Sequence, residues 1–290
     1  MSTILTVPAR LNLEASAMRR IAVTNQKGGS GKTTTAVNLA AALAEQKQRV
    51  LLIDLDPQAS ASTWLGQRDG NRALFDVLVN NGNLSDVTAQ TPVPGLDVVA
   101  ASSWLVGVEK ALAGEVAAET ILRRQLDALA SKGRYDIVLL DCPPSLGLLT
   151  VSALVAVNEL LVPVEAHVLA LNGLAQLHKT VEVVRERLNP ELRISGILLC
   201  RYTRRNRHSQ EIHEVIKGRF GNLVHNVVIR ENIRLAEAPS FSQPITLYDG
   251  RSSGAEDYRA LAQEVLRNGE ARKPAAPRAK ATSARRQTAS

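Results

Sequence analysis

The sequence is poor in aromatic residues: among 290 residues it holds two Trp, four Tyr and three Phe. So few rings leave little material for stacking unpaired bases, and any nucleic-acid contact has to run through phosphates. It is also poor in cysteine. Cys142 and Cys200 each lie in a strand-like apolar run, which excludes a disulfide scaffold and favours a reduced, cytoplasmic protein. Nor are the two placed as the ligands of an iron–sulfur cluster. No stretch of eighteen or more apolar residues exists to span a bilayer. The N-terminus lacks the basic-then-apolar layout of a signal peptide, and the C-terminal tail lacks the apolar face of a membrane-surface helix. No membrane partner is expected.

Acidic residues are missing from one place in particular. Residues 271–290 contain Arg272, Lys273, Arg278, Lys280, Arg285 and Arg286 and no acid. Removing these six of the 35 basic residues leaves 29 against 28 acidic, so the formal charge of +7 belongs almost wholly to the tail. Its Ala, Pro, Ser and Thr content offers nothing to bury, and disorder is expected. Such a tail serves either as loose attraction to nucleic acid or as a solubilising extension. The chain therefore divides into an N-terminal extension (1–18), one large domain (19–268) and a basic tail (269–290).

Within the domain, apolar runs at 20–25, 50–55, 96–101, 135–141, 159–164, 193–200 and 224–229 read as strands. Helical stretches separate them at about 32–46, 116–131, 148–157, 171–188 and 208–219, with a last one near 255–268. This alternation predicts an α/β fold, a mostly parallel twisted sheet with helices on both faces. Ligands of that architecture bind beyond the carboxyl ends of the strands.

The first strand runs into Asn25-Gln-Lys27-Gly28-Gly29-Ser30-Gly31-Lys32-Thr33-Thr34 and then an alanine-rich helix. Gly31-Lys32-Thr33 fits the end of a phosphate loop, in which backbone N–H groups wrap phosphates, the lysine reaches the outer ones and the hydroxyl holds Mg2+. Gln26 stands where the first glycine of that pattern belongs, and Lys27 adds a second lysine. Two further strands end in acids: Val50-Leu-Leu-Ile-Asp54-Leu-Asp56 and Ile137-Val-Leu-Leu-Asp141. A carboxylate closing an apolar strand needs a cation or donor waiting there. Asp141 is read as the metal-side acid, acting on Mg2+ through water, with Thr33 as direct ligand. Alternation puts Asp54 and Asp56 on one side of their strand, so one supports the loop or metal while the other faces an attacking water.

Four ordered segments, 27–34, 50–58, 137–147 and Glu237-Ala-Pro-Ser-Phe-Ser-Gln-Pro-Ile-Thr-Leu-Tyr-Asp249, closely resemble the ParA branch of the ParA/MinD deviant Walker ATPases. The resemblance covers about residues 19–268. It implies a phosphate-loop ATPase that uses ATP and Mg2+ and forms a sandwich homodimer, with Lys27 crossing the interface to the partner's nucleotide. It implies slow hydrolysis stimulated by a ParB-type centromere-binding protein, and an ATP dimer that binds double-stranded DNA without sequence preference. Its usual output is chromosome or plasmid partition on the nucleoid. Carried onto this sequence, Lys27, Gly28, Gly29, Ser30, Gly31, Lys32, Thr33 and Thr34 hold the phosphates. Thr33 binds Mg2+, with Asp141 and Asp54 acting through water, and Asp56 orients the attacking water. Lys27, Lys32 and Asp56 are the catalytic set. A lysine supplied across an interface does the work of an arginine finger.

This sequence departs from the family pattern at Cys200-Arg201-Tyr202, where many members have a polar residue near the base. Adenine recognition is then expected from groups around Arg201 and Pro239. The turn that follows is basic, and Arg204, Arg205, Arg207, Arg234 and Arg251 are the candidate DNA contacts, with Lys217, Arg219 and Arg230 nearby. The same motifs would serve a related ATPase that positions a protein cargo on the nucleoid. A phosphate-loop metabolic ligase would instead require a small-molecule pocket and no ATP-dependent DNA binding.

Overall fold

The computed structural model describes residues 18–67, 72–167 and 170–270. The expected extension over residues 1–17 and the basic tail over 271–290 lie outside the described residues. Seven strands form one sheet: β1 (Arg19–Val23), β2 (Val50–Asp54), β3 (Thr88–Gln90), β4 (Leu96–Val99), β5 (Ile137–Asp141), β6 (Glu159–Glu165) and β7 (Arg193–Cys200). Their order is β3-β4-β2-β5-β1-β6-β7, parallel except for the β3 edge. The helices are α1 (Lys32–Glu45), α2 (Ser60–Trp64), α3 (Ala73–Val79), α4 (Val108–Ala111), α5 (Ile121–Ala130) and α6 (Leu148–Ala156). They continue with α7 (Ala170–Arg187), α8 (Arg207–Phe220), α9 (Ile233–Glu237), α10 (Ile245–Tyr248) and α11 (Ser253–Glu270).

Both faces of the sheet are covered, as the continuous apolar strands require. One face packs α1 and α11 against residues such as Val23, Leu52 and Leu139. The other packs α5, α6 and α7 against Leu51, Val138 and Leu140. The alanines of α1 are what let that helix lie buried between sheet and α11, since Ala36, Ala40, Ala41 and Ala42 are all inaccessible. Larger side chains there would overfill the layer.

The expected strand at 224–229 is not one. His225 N donates to Ile197 O and Ile229 N to Leu199 O, which makes only isolated bridges beside β7. The intervening N–H groups are taken elsewhere: Asn226 N donates to Glu264 Oε1 at 3.0 Å and Val227 N to Glu264 Oε2 at 3.1 Å. A carboxylate on α11 thus replaces a ladder. Conversely, the three residues of β3 are too short and polar to be seen in the sequence.

Burial of Glu264 would raise its pKa, but His225 and the N–H groups of Asn226 and Val227 outweigh this and hold it down to about 2. The stability it contributes is therefore complete above the ordinary carboxylate value of 4.5 and is lost as pH falls through the folded value. Glu264→Ala should cost about 1 kcal/mol at pH 7, because it removes the acceptor of the partly buried Asn226 and Val227 N–H groups. Urea unfolding should find that the gap from the parent narrows as pH drops from 4.5 toward 2; a pH-independent gap would refute the electrostatic origin.

Candidate functional site

The site lies where strand register brings three ends level. Val23 of β1 pairs with Asp141 of β5, and Asp141 pairs in turn with Asp54 of β2. Adjacent strands lie about 4.8 Å apart, so the two acids stand side by side next to the loop that leaves β1. Asn25 anchors the start of that loop. Its Nδ2 donates to Pro163 O at 2.8 Å, and its Oδ1 accepts from Lys27 N at 3.0 Å.

Gly29 and Gly31 have φ of 74° and 88°, a region that residues with a β-carbon enter at a cost. Gly31 also packs closely on β7, since a Cβ there would meet Cys200 Sγ at 3.4 Å. It is the N-cap of α1 and makes no side-chain capping bond. The first N–H groups of a fourteen-residue helix therefore face the loop with their partial positive charge.

The two lysines are disposed oppositely. Lys32 is buried and folds back over the loop, its Nζ donating to Lys27 O at 3.2 Å. Burial lowers its pKa, against the pull of Asp141 and Asp56. Lys27 stands at the mouth, 37% exposed, with Nζ 3.3 Å from Glu165 Oε2. Ser30 Oγ is buried without a hydrogen-bond partner among the described residues, while Thr33 and Thr34 are half-buried at the start of α1.

The three acids divide. Asp54 is fully buried and satisfied: Oδ1 accepts from Asp56 N at 3.0 Å, and Oδ2 from Ser62 N at 2.9 Å and Ser62 Oγ at 2.7 Å. Burial raises its pKa to about 6 despite these bonds, and the Asp56 charge adds to the rise. These contacts brace the turn after β2 and the start of α2 rather than the phosphate loop. The alternation expected to align Asp54 with Asp56 ends with β2, and Asp56 sits half-buried on the turn that follows, where its Oδ1 accepts from Gln58 N at 3.0 Å.

Asp141 differs from both. It is fully buried, and neither oxygen has a hydrogen-bond partner among the described residues. Burial and the neighbouring Asp54 push its pKa well up, while Thr33 and Lys32 pull it down. Orphaned carboxylate oxygens beside a hydroxyl fit a hard divalent cation. Among the described residues no group of three His, Cys, Asp or Glu is arranged to hold a metal by itself.

A cleft of about 220 Å³ opens beside the loop, lined among others by Gly31, Thr34, Cys200, Arg201, Ile233 and Tyr258. Arg201 lines this cleft, whereas Pro239 lies on the turn Ala238–Phe241 and is not among the lining residues. Of the basic residues, Arg204 and Arg205 lie exposed in the turn before α8, Arg207 opens α8, and Arg251 is exposed after α10. Arg234 is ion-paired with Glu237 at 2.9 Å and Asp249 at 3.5 Å. Arg230 is an anchor, bound to Asp257 and Glu256. The sequence reading missed Glu165 and Ser62. Glu165 obeys the rule that found Asp54 and Asp141, a carboxylate closing an apolar strand, but β6 runs one residue beyond the expected end at 164.

Among the described residues, no helix is long and apolar enough to cross a membrane. The family model described as an AAA domain matches residues 18–194. The chain is 44% identical to the chromosome partitioning protein ParA of Caulobacter vibrioides, over 88% of this chain and 96% of that one. It is 47% identical to the chromosome-partitioning ATPase Soj of Thermus thermophilus, over 86% and 96% respectively. A cobyrinic acid a,c-diamide synthase from Mycobacterium smegmatis, solved with an ATP analogue and magnesium, superposes with a TM-score of 0.76 at 33% identity, covering 88% of this chain and 97% of that one. The sheet order, the two-lysine loop, the level acids and these likenesses agree: the chain belongs to the ParA/Soj family of chromosome-partitioning ATPases.

Proposed function

We propose that this ATPase works as a nucleotide-dependent dimer switch in DNA partition. The observation that carries the reading is the opposed disposition of the two lysines on one loop. Lys32 is turned inward and spans its own loop, the position of a group serving its own subunit's β and γ phosphates. Lys27 stands outward at the mouth, where a second subunit's nucleotide would meet it. The loop N–H groups of Gly28 to Lys32 and the start of α1 cradle the phosphates, with Thr34 at the α phosphate. Thr33 directly, with Asp141 and Asp54 through water, would hold Mg2+, which would supply positive charge beside the outer phosphates. Asp56 orients the attacking water from its half-buried turn. The cleft beside Gly31 takes the base, with Arg201 on its wall.

The dimer is read as binding double-stranded DNA without sequence preference through Arg204, Arg205, Arg207 and Arg251. Arg234 joins them on exchanging Glu237 and Asp249 for phosphate. A ParB-type partner stimulates hydrolysis, and the protein operates on the nucleoid. A ligase reading, suggested by the name of the synthase neighbour, is disfavoured because the partition relatives match at higher identity over a similar share of the chain.

Three experiments test this reading. Lys27→Gln should bind ATP yet fail to dimerise and lose stimulated hydrolysis by a factor on the order of 10³; normal stimulated turnover in that variant rejects the cross-subunit role. Asp56→Ala should dimerise with ATP but hydrolyse about 100-fold more slowly or worse, and rapid turnover moves the water-orienting role elsewhere. The double variant Arg204→Glu with Arg205→Glu should keep its ATP dimer and lose DNA in a mobility-shift titration. With about four phosphates neutralised, the parent should lose on the order of 100-fold in affinity for a fourfold rise in salt. A flat salt response would eliminate the phosphate-contact surface.

A further inference from the structure

Glu165 closes β6 opposite Cys200 of β7, and its two oxygens are divided between two cations. Oε2 lies 3.3 Å from Lys27 Nζ, and Oε1 lies 3.4 Å from Arg201 Nη1. The two partners belong to different parts of the site. Lys27 comes from the phosphate loop, and Arg201 from the wall of the adjoining cleft. One carboxylate therefore ties both together.

The backbones around this contact are fixed, so the side chains are what remain free to exchange. Lys27 N is held by Asn25 Oδ1 at 3.0 Å. Arg201 has φ 52°, a left-handed conformation, and the next residue is pinned by Tyr202 N donating to Ile229 O at 3.0 Å. Burial alone would raise the Glu165 pKa, but Lys27 and Arg201 outweigh it and hold the carboxyl below its ordinary value. With side chains 29% and 37% exposed, the Glu165–Lys27 pair is partly sheltered from screening.

We propose that Glu165 is a positioning residue that holds Lys27 within its own subunit, so that dimerisation requires Lys27 to exchange this carboxylate for the phosphates of the partner's nucleotide. The inference rests on the cross-subunit role of Lys27 given above. A triphosphate outbids a single carboxylate for the ammonium because it carries more charge and more acceptor oxygens. Arg201 makes the exchange feasible: when Lys27 leaves, Oε1 keeps its guanidinium partner and no half-buried charge is stranded. In the absence of nucleotide the same contact occupies the Lys27 ammonium at the mouth. Glu165 thus sets the threshold of the switch without touching the reacting atoms.

Glu165→Gln retains the shape and removes the charge. In the full chain with Mg2+ and a saturating non-hydrolysable ATP analogue, sedimentation velocity should give a tighter dimer. Each released pair is worth about two- to fivefold, and two open per dimer, so the dissociation constant should fall about four- to twenty-five-fold. Raising the salt should bring parent and variant together, since an ion pair is screened and a packing role is not. Glu165→Asp, which keeps the charge but cannot span both cations, should also tighten the dimer and serves if the amide variant folds poorly. An unchanged or weaker dimer in both variants, with a parent that does dimerise, overturns the proposal. The contact is also read without dimerisation: in the nucleotide-free chain, acylation of Lys27 by acetic anhydride, followed by mass spectrometry, should be faster in Glu165→Gln. A parent that fails to dimerise defeats the cross-subunit reading, whereas equal acylation defeats the Glu165 contact itself.

Discussion

The level register of Val23, Asp141 and Asp54 is the constraint from which the site follows. In a parallel sheet the strands all end on one edge, and neighbours in register deliver their last side chains to one line. β1 lies at the point where the chain turns from one side of the sheet to the other, with β2, β4 and β5 on one hand and β6 and β7 on the other. The loop leaving β1 must therefore cross in front of the acids that close β5 and β2. Glu165 and Cys200, paired at the ends of β6 and β7, extend the same line on the other side. No loop had to be shaped to gather these residues, because the sheet does it.

What each strand end does then depends on whether the protein satisfies it. Asp54 receives three hydrogen bonds from the turn and from α2, and so serves as a brace that fixes where Asp56 begins. Ser62 passes the brace on, since its hydroxyl also accepts from Ala101 N at 2.9 Å. Asp141, one strand away and equally buried, receives none from the described residues. Two adjacent buried carboxylates repel each other and are costly to keep charged. The protein relieves one of them internally and leaves the other to the phosphate loop, whose Thr33 and Lys32 favour its charged form.

The fold, and the loop and acids it brings level, were legible because they rest on local signals. Apolar runs ending in Asp, a glycine-lysine loop and an alanine-rich helix each occupy a continuous stretch of sequence. The segment at 224–229 was misread for the complementary reason: it is apolar like a strand, but its hydrogen bonding is decided by Glu264, some forty residues later on α11. The cleft beside the loop was only partly legible. Arg201 was found because it directly follows β7, whereas Ile233 and Tyr258 reach the cleft from α9 and α11. Glu165 escaped notice because its meaning lies in two partners, one 138 residues before it and the other 36 residues after it.

The same distinction sorts the arginines. Counted from the sequence, Arg201, Arg204, Arg205, Arg207, Arg230, Arg234 and Arg251 are equivalent positive charges. In the structure Arg201 answers Glu165, Arg230 answers Asp257 and Glu256, and Arg234 answers Glu237 and Asp249. Arg204, Arg205, Arg207 and Arg251 are exposed and have no ion-pair partner among the described residues. A field that attracts a polyanion is made by uncompensated charge, not by total charge. In a domain where basic and acidic residues nearly balance, ion pairs cancel part of the positive charge locally. Three arginines without an ion pair among the described residues, Arg204, Arg205 and Arg207, lie together where the chain enters α8. That turn begins three residues beyond Arg201, on the wall of the cleft beside the phosphate loop, so the exposed charge is placed by the same strand end that closes the site.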